Sequence, residues 1–145
     1  MKSQFKSDNK IDRDAALALL TSPFPDLKEQ WERHKSSEYT DYQSERLDYV
    51  DIGVINRYIV DKFKVHQPKE FDDFFNRVEI ILNQGDDYTK ELMIIGLLEG
   101  IQNVSGWEDA NYHDFEKWLK PETKKAWNEL TRFWIDVEEW TRKNG

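Results

Sequence analysis

Residues 92–103 read LMIIGLLEGIQN, and this stretch narrows the fold more than any other in the chain. Wound as an α-helix, it places Leu92, Ile95, Gly96 and Glu99 with Asn103 on one side. Met93, Leu97 and Val104 fall on the next side, and Ile94, Leu98 and Ile101 on the third. A helix that is apolar nearly all round has to be covered by neighbours, so a central helix inside an all-helical core is expected here. Gly96 and Gly100 bracket Glu99, and each glycine costs about 1 kcal/mol relative to alanine in a helix interior. Two of them together predict the close approach of another helix. A carboxylate in this setting needs donors, because a buried charge without a partner is costly. Glu99 is therefore expected to be a structural buried polar group, held by a tryptophan N–H, a tyrosine hydroxyl or a backbone amide. Asn103, and Glu79 between Val78 and Ile80, take the same reading.

Helix punctuation repeats along the chain. Residues 1–10 read as a polar, disordered tail, and residues 11–145 as a single domain. A first helix is expected from Asp12 through AALALL, ending before Pro23 and Pro25. Pro25 opens a second, PDLKEQWERH, with Asp26 and Glu29 near its positive end, followed by the polar connector KSSEYTDYQ. A third is expected over 45–64, burying Leu47, Val50, Val54, Tyr58 and Phe63, with Ile55 and Ile59 widening the stripe. Pro68 opens a fourth that buries Phe71, Phe75, Val78 and Leu82 and ends at Gly85. Asp86 or Asp87 caps the fifth, a short sixth covers 111–119, and Pro121 starts the last. In that last helix Trp127, Leu130, Trp134 and Val137 recur at three- and four-residue spacing, with Phe133 and Trp140 beside them. Strand and hairpin signals are scarce. The fold class is thus all-α: six or seven helices packed as antiparallel hairpins in one globular bundle, with 45–64 against 68–84 and 86–104 against 111–140.

Charge and composition exclude several functions. The chain has no cysteine, which removes disulfides and thiolate metal sites. Its longest apolar run is far short of the roughly 20 residues a membrane span needs, and no secretory leader is visible, so a cytoplasmic location and no membrane partner are expected. The net charge of −8 is uneven: between His66 and Glu116 there are three basic and twelve acidic residues. An acidic segment repels nucleic acid and favours a basic partner. The basic cluster Lys117, Lys120, Lys124 and Lys125 is short, and Glu116 and Glu122 can pair with it, so no nucleic-acid partner is expected.

The chain carries no glycine-rich phosphate loop, nucleophile elbow or zinc-helix motif. Glu79 and Glu99 could form a general acid/base pair, but neither has the histidine three residues later that di-metal bundles use. His113 and Glu116 make only one ligand pair. No catalytic residue, metal or cofactor is expected.

Two segments carry a likeness to a known family. GLLEGIQN, through Leu98, Glu99, Ile101, Gln102 and Asn103, and then LKPETKKAWNELTRFW, through Leu119, Pro121, Glu122, Ala126, Trp127, Phe133 and Trp134, resemble a family of small bacterial all-α domains of unknown function. FPDLKEQW (Phe24–Trp31) is similar to its opening helix, so the likeness runs from about residue 24 to 135. Lys120 stands where glycine is common. Members resemble immunity proteins of interbacterial toxin systems. The resemblance implies a non-enzymatic binding module that neutralises a cognate toxin with a basic surface. The acidic candidates for that contact are Glu70, Asp72, Asp73, Asp86, Asp87, Glu91, Glu108 and Asp109, with Tyr88, Trp107 and Tyr112 as aromatic anchors. A structural or adaptor domain, monomeric or homodimeric, is the alternative, and an enzyme using Glu79 and Glu99 is the third reading.

Overall fold

Asp12 accepts a hydrogen bond from the Ala15 amide at 2.9 Å and so caps the first helix, α1 (Arg13–Thr21). Its entry is pinned by a short parallel bridge, in which Ile11 donates to Gln84 O and Asp86 donates to Ile11 O, both at 2.9 Å. The structure, a computed structural model, describes residues 10–39, 46–65, 69–107 and 112–144. The expected tail over 1–10 lies outside them except for Lys10, and Pro68 lies outside them altogether.

Pro25 opens α2 (Pro25–Glu38), which runs four residues into the stretch expected to be a connector. A single turn, α3 (Asp48–Asp51), is followed by α4 (Gly53–Val65). The expected single helix over 45–64 is therefore broken at Ile52, and its buried face is rotated. Leu47 and Val50 are exposed, whereas Ile52, Ile55, Ile59, Val60 and Phe63 are buried. The α5 helix (Glu70–Gln84) buries Phe71, Phe74, Phe75, Val78 and Ile81, leaving Leu82 half-buried at the margin. Gly85 ends it in extended backbone, and a Cβ there would lie 2.7 Å from Ile81 O.

Asp86 caps α6 (Asp87–Glu91) by accepting from the Thr89 amide at 2.8 Å. The chain then widens into a π-helix (Leu92–Leu98) and returns to α7 (Glu99–Trp107). The sixth helix is a 3₁₀ segment (Tyr112–Trp118), and α8 (Pro121–Asn144) closes the chain.

The protein is an all-α bundle; among the described residues the Ile11–Gly85 bridge is the sole extended pairing. Its most extensive packing between separate helices joins α4 to α7 and α5 to α8, pairs distant in sequence; the expected pairing of 45–64 with 68–84 is not a main contact, whereas 86–104 does pack on the 3₁₀ segment and α8. The core is aromatic. Phe115 stacks on Phe63 at 4.3 Å, and Trp118 meets Phe71 edge-on at 5.0 Å. Trp127, Phe71, Phe74 and Phe75 are fully buried. Rings of this size let a chain of modest apolar content fill a core.

The glycines do what their spacing implies. A Cβ on Gly100 would lie 2.0 Å from Asn56 Nδ2, and one on Gly96 would lie 3.2 Å from Ile52 Cγ2. The buried Asn56 side chain passes into this gap and donates to Gly96 O at 3.1 Å. The missing side chains are what allow α4 to seat against the π-helix and α7.

Candidate protein-binding site

The site is built around the α3 turn, whose two aspartates are both buried. Asp51 accepts from the Tyr39 hydroxyl at 2.6 Å, and His34 Nε2 lies 2.8 Å from its other oxygen. Asp48 accepts from Arg13 Nη1 at 3.0 Å and from the Tyr88 hydroxyl at 2.7 Å. Arg46, its side chain fully buried, reaches Asp14 at 2.6 Å. These charge-assisted bonds tie α1, α2 and α6 to one turn of backbone. Sequence reasoning missed the cluster, because reading Leu47 and Val50 as core turned Asp48 and Asp51 outward. The available signal was the DYVD spacing itself, two carboxylates three apart shortly before the glycine that opens the next helix.

Above this anchored floor lies an open aromatic surface. Tyr49 and Tyr88 meet edge-to-face at 6.4 Å, and both are close to half exposed. Burial of its ring, then the hydrogen bond to Asp48, push the Tyr88 hydroxyl up to about 12. Burial, then the charges of Glu91 and Asp48, also raise Tyr49. Both phenols therefore stay neutral and able to donate across the physiological range. The ring of Tyr49 packs over Gly96, where a Cβ would lie 3.5 Å from its Cδ1.

Next to it runs a solvent-facing stripe: Glu91, Ile95, Glu99 and Asn103, at four-residue steps. This corrects two expectations. Glu99 is half-exposed, and no donor to it appears among the described residues. Asn103 is exposed. The polar side chain that is buried is its neighbour Gln102, which donates to Trp127 O and Thr131 Oγ1, both at 3.3 Å.

Glu79 is structural but only half-buried. It accepts from the Glu122 amide at 3.0 Å and from the Thr123 amide and hydroxyl at 2.9 and 2.8 Å, capping the start of α8. Burial pushes its carboxyl up, but the two amides, the Thr123 hydroxyl and the Asn83 side chain outweigh this and hold it below the usual range. The roles of Glu79 and Glu99 thus differ, since one is committed to a helix end and the other faces solvent. A wide depression of about 940 Å³ along α2, lined by Arg33, His34, Ser37 and Val54, contains neither.

The expected acidic surface is divided into two poles. Glu70, Asp72 and Asp73 stand at the start of α5, and Asp86, Asp87, Tyr88 and Glu91 beyond its end, about 20 Å away at 1.5 Å per residue. At the first pole Asp72 pairs with Lys120 at 2.8 Å and Asp73 with Arg77 at 3.2 Å. At the second, Asp86 serves as a helix cap, while Asp87 and Glu91 are exposed. Glu108 and Asp109, and the side chains of Trp107 and Tyr112, lie outside the described residues. His113 and Glu116 do meet, at 2.7 Å, but among the described residues no group of three or more such side chains could hold a metal ion. Among the described residues, no helix is long and apolar enough to cross a membrane.

The fold and this surface define a small all-α domain with a tyrosine-bearing acidic face. The chain belongs to the domain of unknown function family DUF7674, whose match covers residues 17–135, reaching one helix further back than the likeness read from Phe24. No curated protein and no solved structure matches it.

Proposed function

We propose that this chain is a non-enzymatic protein-binding module of the immunity or antitoxin kind, which neutralises a cognate bacterial toxin by covering a basic surface. The observation that carries the reading is the pair Tyr49–Tyr88, held half-exposed on an anchored floor beside Ile95 and flanked by Asp87, Glu91 and Glu99. Tyrosine is enriched at the centres of protein interfaces, where a few aromatic anchors supply most of the affinity. Tyr88 is fixed in advance by Asp48, so less conformational freedom is lost when a partner arrives. Unpaired rim carboxylates add attraction for a basic partner and speed the encounter.

This reading narrows the contact to the second acidic pole. Asp72 and Asp73 at the start of α5 are engaged with Lys120 and Arg77, which leaves them weaker recruiters of a basic partner.

The test uses the product of a neighbouring gene that encodes a larger protein with a basic C-terminal domain. Cells producing that domain should be rescued by the chain, and the purified pair should associate in a salt-sensitive manner. Tyr88→Ala should weaken binding by about 2 kcal/mol, in the range of an interface anchor. If Tyr88→Ala and Glu91→Lys both rescue as well as the unmodified chain, this face is not the toxin-binding surface.

A further inference from the structure

The inward stripe of α8 runs off the end of the body that it packs on. Its first half buries Thr123, Ala126, Trp127 and Leu130. The same stripe continues through Trp134 and Val137 at steps of four and three residues, with Phe133 and Trp140 along one edge. Trp134, Val137, Phe133 and Trp140 are 36%, 38%, 55% and 67% exposed. Residues 131–144 rise about 21 Å at 1.5 Å per residue, so two of the chain's six tryptophans stand on an overhanging helix.

We propose that a second copy of this chain covers the overhang, the two α8 ends packing antiparallel about a two-fold axis. The spacing of Leu130, Trp134, Val137 and Thr141 is the four-three alternation of a two-helix seam. A two-fold interface must be complementary to itself. Here Trp134 and Val137 of each copy occupy the seam, and Phe133 of one lies alongside Trp140 of the other.

Charge favours a copy over a basic partner. Residues 131–144 carry three basic and three acidic side chains, a net of zero on a chain of −8. The overhang is where two like-charged molecules repel least, whereas a basic protein is drawn to the α3–α6 face. Size is consistent too: aromatic rings bury on the order of 150–250 Å² each, so the exposed parts of three per copy, with Val137, come near the lower end of a specific interface, ~1,000 Å². A groove of about 490 Å³ between α7 and α8, lined by Gln102, Asn103, Trp134, Val137 and Thr141 among others, lies open along the same seam residues.

Sedimentation equilibrium of the full chain from about 1 to 100 μM tests this by mass action. The expected mass is twice the 17.4 kDa of one chain, and tryptophan emission should shift to shorter wavelength as dimer forms. The double variant Val137→Glu/Trp140→Lys should weaken association by at least about 100-fold while far-UV circular dichroism keeps its helical signal. Should that variant lose helicity, Val137→Ala supplies the readout, with weaker association at unchanged helicity. Glu91→Lys, on the toxin-facing surface, should dimerise normally, so failure of the toxin reading and failure of this one are distinguishable. Unmodified chain that remains monomeric at the upper concentration overturns the proposal. So does a double variant that sediments as the unmodified chain does.

Discussion

Gly100 and Gly106 lie six residues apart on α7 and should respond in opposite directions to the same substitution. A Cβ at Gly100 would strike Asn56 Nδ2 at 2.0 Å, whereas one at Gly106 has nothing within 4 Å. Gly100→Ala should therefore destabilise by about 1–3 kcal/mol through overpacking and loss of the Asn56–Gly96 hydrogen bond. Gly106→Ala should stabilise by up to about 1 kcal/mol through helix propensity alone. Chemical denaturation of the two variants checks both signs. Glu79 supplies a third case. Glu79→Ala should cost about 0.5–2 kcal/mol, the range of a lost helix cap. Because its folded carboxyl lies below the usual value, the unfolded chain binds the proton more readily. Its contribution is then complete above the ordinary carboxylate value of 4.5 and fades as pH falls through the lower folded value. The difference in urea midpoint between unmodified chain and Glu79→Ala should shrink below pH 4.5. At this scale the sequence was partly legible. Paired glycines announced close packing, because the cost of glycine demands a reason. A glutamate between apolar neighbours looks the same whether it faces inward or out, which is why Glu79 and Glu99 received one reading and have two roles.

Helix existence was readable from capping and proline signals, whose causes are local. Asp12, Pro25, Asp86 and Pro121 each stand where a helix begins. Helix phase was less readable. The break between α3 and α4 turned Leu47 and Val50 out to solvent and put Asp48 and Asp51 inside, where four donors satisfy them. The π-helix is a second phase effect: with a wider turn, exposed positions recur at every fourth residue, 91, 95, 99 and 103. A wheel drawn at 3.6 residues per turn puts Ile95, Glu99 and Asn103 together, but with the buried Leu92 and Gly96 among them, and gives no reason to leave that side uncovered. The aromatic core on α5 carries the strongest prediction at this level. Phe75 is fully buried and touches Phe71, Phe74, Phe115 and Trp118. Phe75→Ala should cost about 3–5 kcal/mol by thermal or chemical unfolding. Phe133→Ala, on the overhang, should change the stability of the monomer by no more than about 0.5 kcal/mol.

For the molecule as a whole, the balance of charge decides where a basic partner would be drawn. Twelve carboxylates in the middle third look like one surface in the sequence, yet the length of α5 sets Glu70, Asp72 and Asp73 apart from Asp86, Asp87 and Glu91. Reversing Asp87 and Glu91 should slow association with a basic toxin domain and flatten its salt dependence, since rim charges act chiefly on the encounter rate. Reversing Asp72 and Asp73 should do less, because Lys120 and Arg77 already engage them. Stopped-flow association at two ionic strengths separates these outcomes. The residues alone were enough to establish an all-α chain without a thiol, with helix starts in place and a family likeness spanning most of its length. Those properties follow from nearest-neighbour chemistry: caps, prolines, composition and i to i+4 spacing. The three-dimensional fold decided which carboxylates are caps, which are buried and which are free, and where the last helix outruns its support. Burial depends on what lies across the gap, and no spacing within a single helix records that.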